Sequence, residues 1–352
     1  MKKIAKLFLV ILTAASFSLS SAYAGELTVT GGATATYKIG GAVDAAGPGL
    51  GVSNEIDFTA NGELDNGFTW TWQTQLDDAG TVNDDTRLEV GTPYGTVGFY
   101  ISENDISSKL GYGIGALGVG SDYTGPATVE WGATMNTYNN IGYSTPAGML
   151  PFGGSVKVAY SPNLSSTQGA SAKADGAVET LAVGSDATQY RVDFQPIDGL
   201  SVGADYMTVS GGLASIRYKQ ESAGAYAKYV AGPFSVGYAR TGYQPNEAKA
   251  ATLGSDGSVN YETDQYGIQF AVNENFTISW STESSTKHTS KEISGAGGTT
   301  VASDITMDID HIQAAYVIGG ATVGIAIADA SNSDYTTSKD EKVTTLSLAM
   351  AF

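Results

Sequence analysis

The chain has 352 residues, with 18 basic against 36 acidic side chains, 45 glycines, 20 tyrosines and no cysteine. A formal charge of −18 and the lack of any basic run exclude nucleic acid as a partner, because phosphate recognition calls for Lys and Arg clusters. A disulfide scaffold is excluded too, so cohesion must come from elsewhere; the abundance of Gly, Ala, Ser, Thr, Val and Tyr suits the backbone hydrogen bonding of a large sheet.

Taken in chain order, the first element is a leader. Lys2, Lys3 and Lys6 precede an apolar run from Leu7 to Leu19, and Ala22-Tyr23-Ala24 offers small residues where a signal peptidase reads. The run is shorter than the ~20 residues a spanning helix needs. The pattern predicts an exported chain cut after Ala24, with residues 25–352 as one mature domain. Loss of three lysines leaves 15 basic against 36 acidic residues, a charge near −21.

Beyond the leader the signal is period two. Ile56, Phe58 and Ala60 alternate with Glu55, Asp57 and Thr59; Phe68, Trp70 and Trp72 alternate with Thr69, Thr71 and Gln73. Val97/Phe99/Ile101, Tyr190/Val192/Phe194, Phe276/Ile278/Trp280 and Val323/Ile325/Ile327 repeat the pattern. No segment carries a helical stripe. Tight-turn sequences at 65–67, 92–94, 196–199, 232–233, 273–275 and 319–320 alternate with longer polar connections near 40–50, 103–137, 161–187, 244–258, 286–303 and 332–340.

Alternating short and long connections predict an all-β, antiparallel up-and-down barrel spanning a membrane, with short periplasmic turns and long external loops. About 16 strands result if 212–231 is one long bulged strand. In lipid only a closed sheet satisfies every peptide group, and at this strand number side chains do not fill the interior. Tyr37, Trp70, Trp72, Tyr160, Phe194, Tyr206 and Trp280 are candidates for interfacial aromatic girdles.

Three segments now carry a resemblance. The last strand, Thr345-Leu346-Ser347-Leu348-Ala349-Met350-Ala351-Phe352, alternates and ends on Phe352, as the assembly signal of outer-membrane barrels does. Arg87-Leu88-Glu89-Val90-Gly91-Thr92-Pro93-Tyr94-Gly95 is similar to the hairpin before a porin's constriction loop, and Tyr138-Asn139-Asn140-Ile141-Gly142-Tyr143 to the strand returning from it. Over the whole mature chain the sequence resembles the trimeric general-diffusion porins of Gram-negative outer membranes. The resemblance implies that the third long loop, 103–137, folds into the pore, that three copies associate in outer-membrane lipid, and that small hydrophilic solutes and ions pass by diffusion without a cofactor. Arg87, Glu89, Lys157, Arg191 and Arg217 have the parity of pore-facing wall residues, and Glu103, Asp105, Asp122 and Glu130 are the loop acids opposite them. Arginines are fewer than the family's ladder requires, and the acidic balance predicts cation preference.

Other chemistries have weaker signals. Gly113, Gly115 and Gly118 fit G-x-G-x-x-G but lack the strand and helix of a dinucleotide site, and read as a sharply bent loop. His311 with Asp308 and Asp310 lacks a second metal-binding cluster, and Asp77, Asp78, Asp84 and Asp85 lack the spacing of a calcium loop. No metal is expected. His288 has no motif of a barrel hydrolase around it. A secreted adhesive β-solenoid would show a fixed repeat, which is missing; a substrate-specific channel remains the nearest alternative.

Overall fold

The computed structural model describes residues 25–41, 48–77, 82–120, 128–162, 186–210, 216–245, 247–248, 257–293 and 299–352. The expected leader and Asp122 lie outside them. The strands, in chain order, are β1 (Leu27–Gly40), β2 (Gly49–Glu63), β3 (Thr69–Asp77), β4 (Val82–Thr92), β5 (Gly95–Ile101), β6 (Asn140–Ser144), β7 (Ser155–Ser161), β8 (Ala187–Ile197) and β9 (Leu200–Val209). There follow β10 (Ile216–Tyr218), β11 (Glu221–Ala231), β12 (Phe234–Gln244), β13 (Glu247–Ala248), β14 (Gly257–Asn273), β15 (Phe276–Ile293), β16 (Thr299–Ile318), β17 (Ala321–Ser331) and β18 (Glu341–Ala351).

All of these except β10 and β13 close into a sixteen-stranded antiparallel barrel in which each strand pairs with its neighbours along the chain. Closure joins β1 to β18 from Gly32↔Ala351 to Gly40↔Val343. It is completed by reciprocal backbone bonds of 2.9 Å between Gly31 and Phe352. Phe352 shares the outward face of Gly31, where a Cβ would lie 2.9 Å from its ring Cζ. A bare glycine at this seam therefore leaves the terminal aromatic room to lie flat.

Register explains the alternation in the sequence. Leu27, Val29, Tyr37, Leu50, Trp72, Tyr206, Phe234, Trp280, Ile312 and Leu348 are apolar residues exposed on the outer surface. All seven expected girdle aromatics have outward parity in the ladders. Some pair across strands, Phe234 with Phe270 at 4.6 Å and Tyr266 with Trp280 at 6.0 Å. The inward face carries Ser, Thr, Gln, Gly and charged residues. Turns such as Gly319-Gly320, both at positive φ, are short because glycine takes the left-handed conformation without a Cβ clash.

Two expectations need correction. The stretch 212–231 is not one bulged strand: only β11 belongs to the barrel, while β10 pairs with β13 in a separate two-stranded sheet. The count of sixteen survives because this detour adds no wall strand. The region 286–303 is not a long loop, since β15 and β16 run on to Ile293 and from Thr299 as one extended hairpin. Above the apolar belt both faces of a strand meet water, so Ser284, Thr286 and His288 face outward, Ser285 and Lys287 face inward, and the alternation that marks a strand disappears.

The buried core lies inside the cylinder. It forms where the connection between β5 and β6 packs on the inner wall, in clusters around Ile106/Met135/Met207, Tyr112/Ile114/Tyr226 and Val129/Trp131/Met307.

Candidate functional site: the barrel interior and its inward loop

The connection after Ile101 turns into the barrel and is anchored residue by residue. Near its start the Ser108 N–H donates to Asp205 Oδ1 at 2.6 Å, Gln189 Nε2 donates to Asp205 Oδ2 at 3.0 Å, and near its end the Met135 N–H donates to Gln189 Oε1, so both limbs of the connection meet one wall pair. Arg191 places Nη1 on the Ser107 carbonyl at 2.6 Å while its Nε contacts both oxygens of Asp193. One turn of helix, α1 (Lys109–Tyr112), buries Tyr112, and Lys228 Nζ then holds the Gly113 carbonyl at 3.0 Å.

Further along, Gly115, Ala116 and Leu117 donate their N–H groups to Gln269 Oε1, Ser279 Oγ and Gln313 Oε1. On the return path the Glu130 N–H donates to the Tyr335 hydroxyl, and Thr263 Oγ1 donates to the Glu130 carbonyl. Loop backbone and inward polar side chains thus satisfy each other, as a buried irregular segment requires. Wall glycines make the approach possible: a Cβ at Gly237 would sit 2.9 Å from Tyr112 and Ile114, and one at Gly324 would meet Leu117 at 2.6 Å. Gly113, Gly115 and Gly118 all have positive φ, giving the bent loop expected of them.

These anchors lie on β8 to β16 and on the connection that holds Tyr335. Along β1 and β2 a cavity of about 740 Å³ is lined by the inward Thr30, Thr34, Ser53, Glu55 and Asp57 and reaches the seam with Phe352. The loop root brings together the charges expected from the sequence. Arg87 Nη1 lies 3.3 Å from Glu103 Oε2, its Nε lies 3.9 Å from Glu89 Oε2, and the Tyr100 hydroxyl donates to Glu89 Oε1 at 2.8 Å. Burial pushes the Glu103 carboxyl above its ordinary value, with the nearby Arg87 opposing the shift.

The remaining candidates separate. Asp105 accepts the Ser107 N–H at 2.7 Å and shapes the loop, and Glu130, raised by burial, accepts the Gly132 N–H at 3.3 Å. Lys157 faces inward beside Ser144 and Arg191 in the ladder. Arg191 has the expected inward parity but is only 7% exposed, so it secures the loop and presents little charge to the lumen. Arg217 lies on β10, outside the barrel, and so does not occupy an inward wall position. Sequence reasoning missed Gln189, Asp205, Gln269 and Gln313, the polar wall residues that hold the loop.

Neither histidine sits in a metal-binding group among the described residues. His311 Nε2 is 3.8 Å from Glu283 Oε2, both fully buried in the wall. His288 Nδ1 is 3.0 Å from Asp304 on the outward face.

These features define a sixteen-stranded barrel of the porin fold with its third long connection folded inward. Solved structures share the architecture. An anion-selective porin from Comamonas acidovorans matches with a TM-score of 0.63 at 13% identity, over 93% of this chain and 99% of that one. In-vitro folded OmpT, an outer membrane protein of Vibrio cholerae, matches at 0.62 and 12%, over 96% and 100%. Its trimer form matches at 0.59 and 13%, over 94% and 100%. No protein-family model and no curated protein matches the sequence.

Proposed function

We propose that the mature chain is an outer-membrane porin: a water-filled, non-enzymatic channel for passive diffusion of small hydrophilic solutes and ions, assembled as a homotrimer after removal of residues 1–24. The observation that carries this reading is the opposed character of the two faces of one closed wall. Outside, apolar and aromatic side chains match hydrocarbon and its interfaces; inside, polar side chains and a docked loop leave space along β1 and β2. Trimerisation is supported by the trimer form of a barrel with the same fold.

Cation preference rests on the charges of this chain, since an anion-selective porin shares the fold. Glu55, Asp57, Glu89 and Glu103 face the open side, while Arg87 is engaged by Glu103 and Arg191 is withdrawn into the wall. Lys38, Lys157, Lys228 and Lys287 remain as inward cations, Lys228 held on the loop by the Gly113 carbonyl and Lys287 nearer the long-connection end. Low-dielectric walls focus such a field and raise the local concentration of cations. Reversal potentials of the reconstituted channel in a KCl gradient test both parts. Stable unit steps with cation selectivity are expected, clear anion selectivity overturns the charge argument, and a complete lack of conductance overturns the channel.

A further inference from the structure

Three inward side chains beyond the docked loop make none of the hydrogen bonds that anchor it. Tyr243 on β12, Tyr261 on β14 and Lys287 on β15 stand opposite one another in successive ladders, forming a row across the inner wall. They lie two residues beyond Thr263 and Ser285, the level at which the loop docks, or about 7 Å toward the long-connection end. The rings of Tyr243 and Tyr261 stack at 6.1 Å with an interplanar angle of 22°. Tyr335 leans over Tyr261 at 5.3 Å, and its hydroxyl is fixed by the Glu130 N–H and by Ser285 Oγ.

Lys287 completes the row. Its Nζ lies 5.9 Å from the ring centroids of both Tyr261 and Tyr335, and it forms no ion pair among the described residues. The acid nearest the row, Glu130, lies beneath it on the loop and is committed to the Gly132 N–H. Glu262, next to Tyr261 in sequence, points outward to Arg240. All four side chains of the row are partly exposed. The surface thus offers flat π faces beside an ammonium that retains donors for an anion. Aromatic faces hold planar rings and the C–H faces of sugars, and a lysine selects a carboxylate.

We propose that Tyr243, Tyr261, Tyr335 and Lys287 form a solute-binding subsite, on the long-connection side of the docked loop, for small molecules that join a ring to a carboxylate. The ring comes from an aromatic acid or an acidic sugar. Such a site would retain these solutes at the mouth of a channel whose lumen otherwise favours cations. Its role rests on the channel reading; its existence does not.

Titration calorimetry on the detergent-solubilised full barrel, with benzoate and galacturonate as the two ring acids and acetate and galactose as controls, tests the proposal. At least one ring acid should bind about fivefold or more tightly than both controls, and which one does so identifies the ring. Lys287→Met should reduce that binding about fivefold, and Tyr261→Leu should bring it down to the level of acetate. Lys287→Gln replaces either variant if it fails to show the heat-modifiable gel shift of a folded barrel. Equal binding of ring acids and acetate, or ring-acid binding untouched by the folded variants, overturns the subsite. Binding without channel conductance contradicts the proposed function and leaves the subsite standing; conductance without binding does the reverse.

Discussion

Replacing Asp205 by alanine tests how the inward loop is held. Asp205 is 8% exposed and accepts two bonds, from the Ser108 N–H at 2.6 Å and from Gln189 Nε2 at 3.0 Å. Of the two only the Ser108 bond joins loop to wall, and a hydrogen bond to a charged acceptor contributes about 1.5–3 kcal/mol, so this one favours the docked loop by about that much. Losing about 1.5–3 kcal/mol raises the undocked fraction about 10- to 150-fold. Gln189 then loses one of its two partners, which weakens its own hold on Met135. Single-channel recording of Asp205→Ala should show frequent current flicker and excursions to larger conductance, with barrel folding verified by heat-modifiable gel migration. A folded variant with the quiet current and conductance of the parent would refute the assignment of Asp205 as a loop anchor.

The other predictions concern packing and charge. Gly237→Val pushes a side chain into Tyr112 and Ile114 and should destabilise loop docking by about 1–3 kcal/mol, seen as the same flicker from an apolar cause. Gly31→Val, which meets the Glu55 carbonyl at 2.5 Å and the Phe352 ring at 2.9 Å, should lower the yield of closed barrel measured by gel shift, as should deletion of Phe352. Arg87→Ala removes an inward cation and should shift the reversal potential further toward cation selectivity. Because burial raises the Glu103 carboxyl, that acid gains its proton as pH falls before solvated carboxylates do near about pH 4.3. Part of the cation preference should therefore fade above that pH, and Glu103→Gln should abolish this early step.

The wall was legible because its two faces meet different solvents: Phe68, Trp70 and Trp72 against Thr69, Thr71 and Gln73 read directly as outside and inside. Turns such as Gly319-Gly320 carried their own chemistry. Legibility ended where that contrast ends. Thr286, Lys287 and His288 stand above the apolar belt, where neither face meets hydrocarbon, so a strand read as a loop. Arg217 had inward parity only on the assumption that 212–231 ran as one strand. Gln189, Asp205 and Gln313 had no local signal as loop anchors, because their partners lie 54, 97 and 196 residues away. Inward glycines such as Gly237 and Gly324 read as weak strand positions, and their purpose appears only when the loop lies against them.

The most direct test of a water-filled cylinder is osmotic swelling of lipid vesicles that contain the purified barrel, using uncharged sugars of increasing size. Swelling should be rapid with a pentose and should slow steadily through hexose, disaccharide and trisaccharide. Vesicles that do not swell even with the pentose, although the barrel is inserted and folded, would contradict an open aqueous interior.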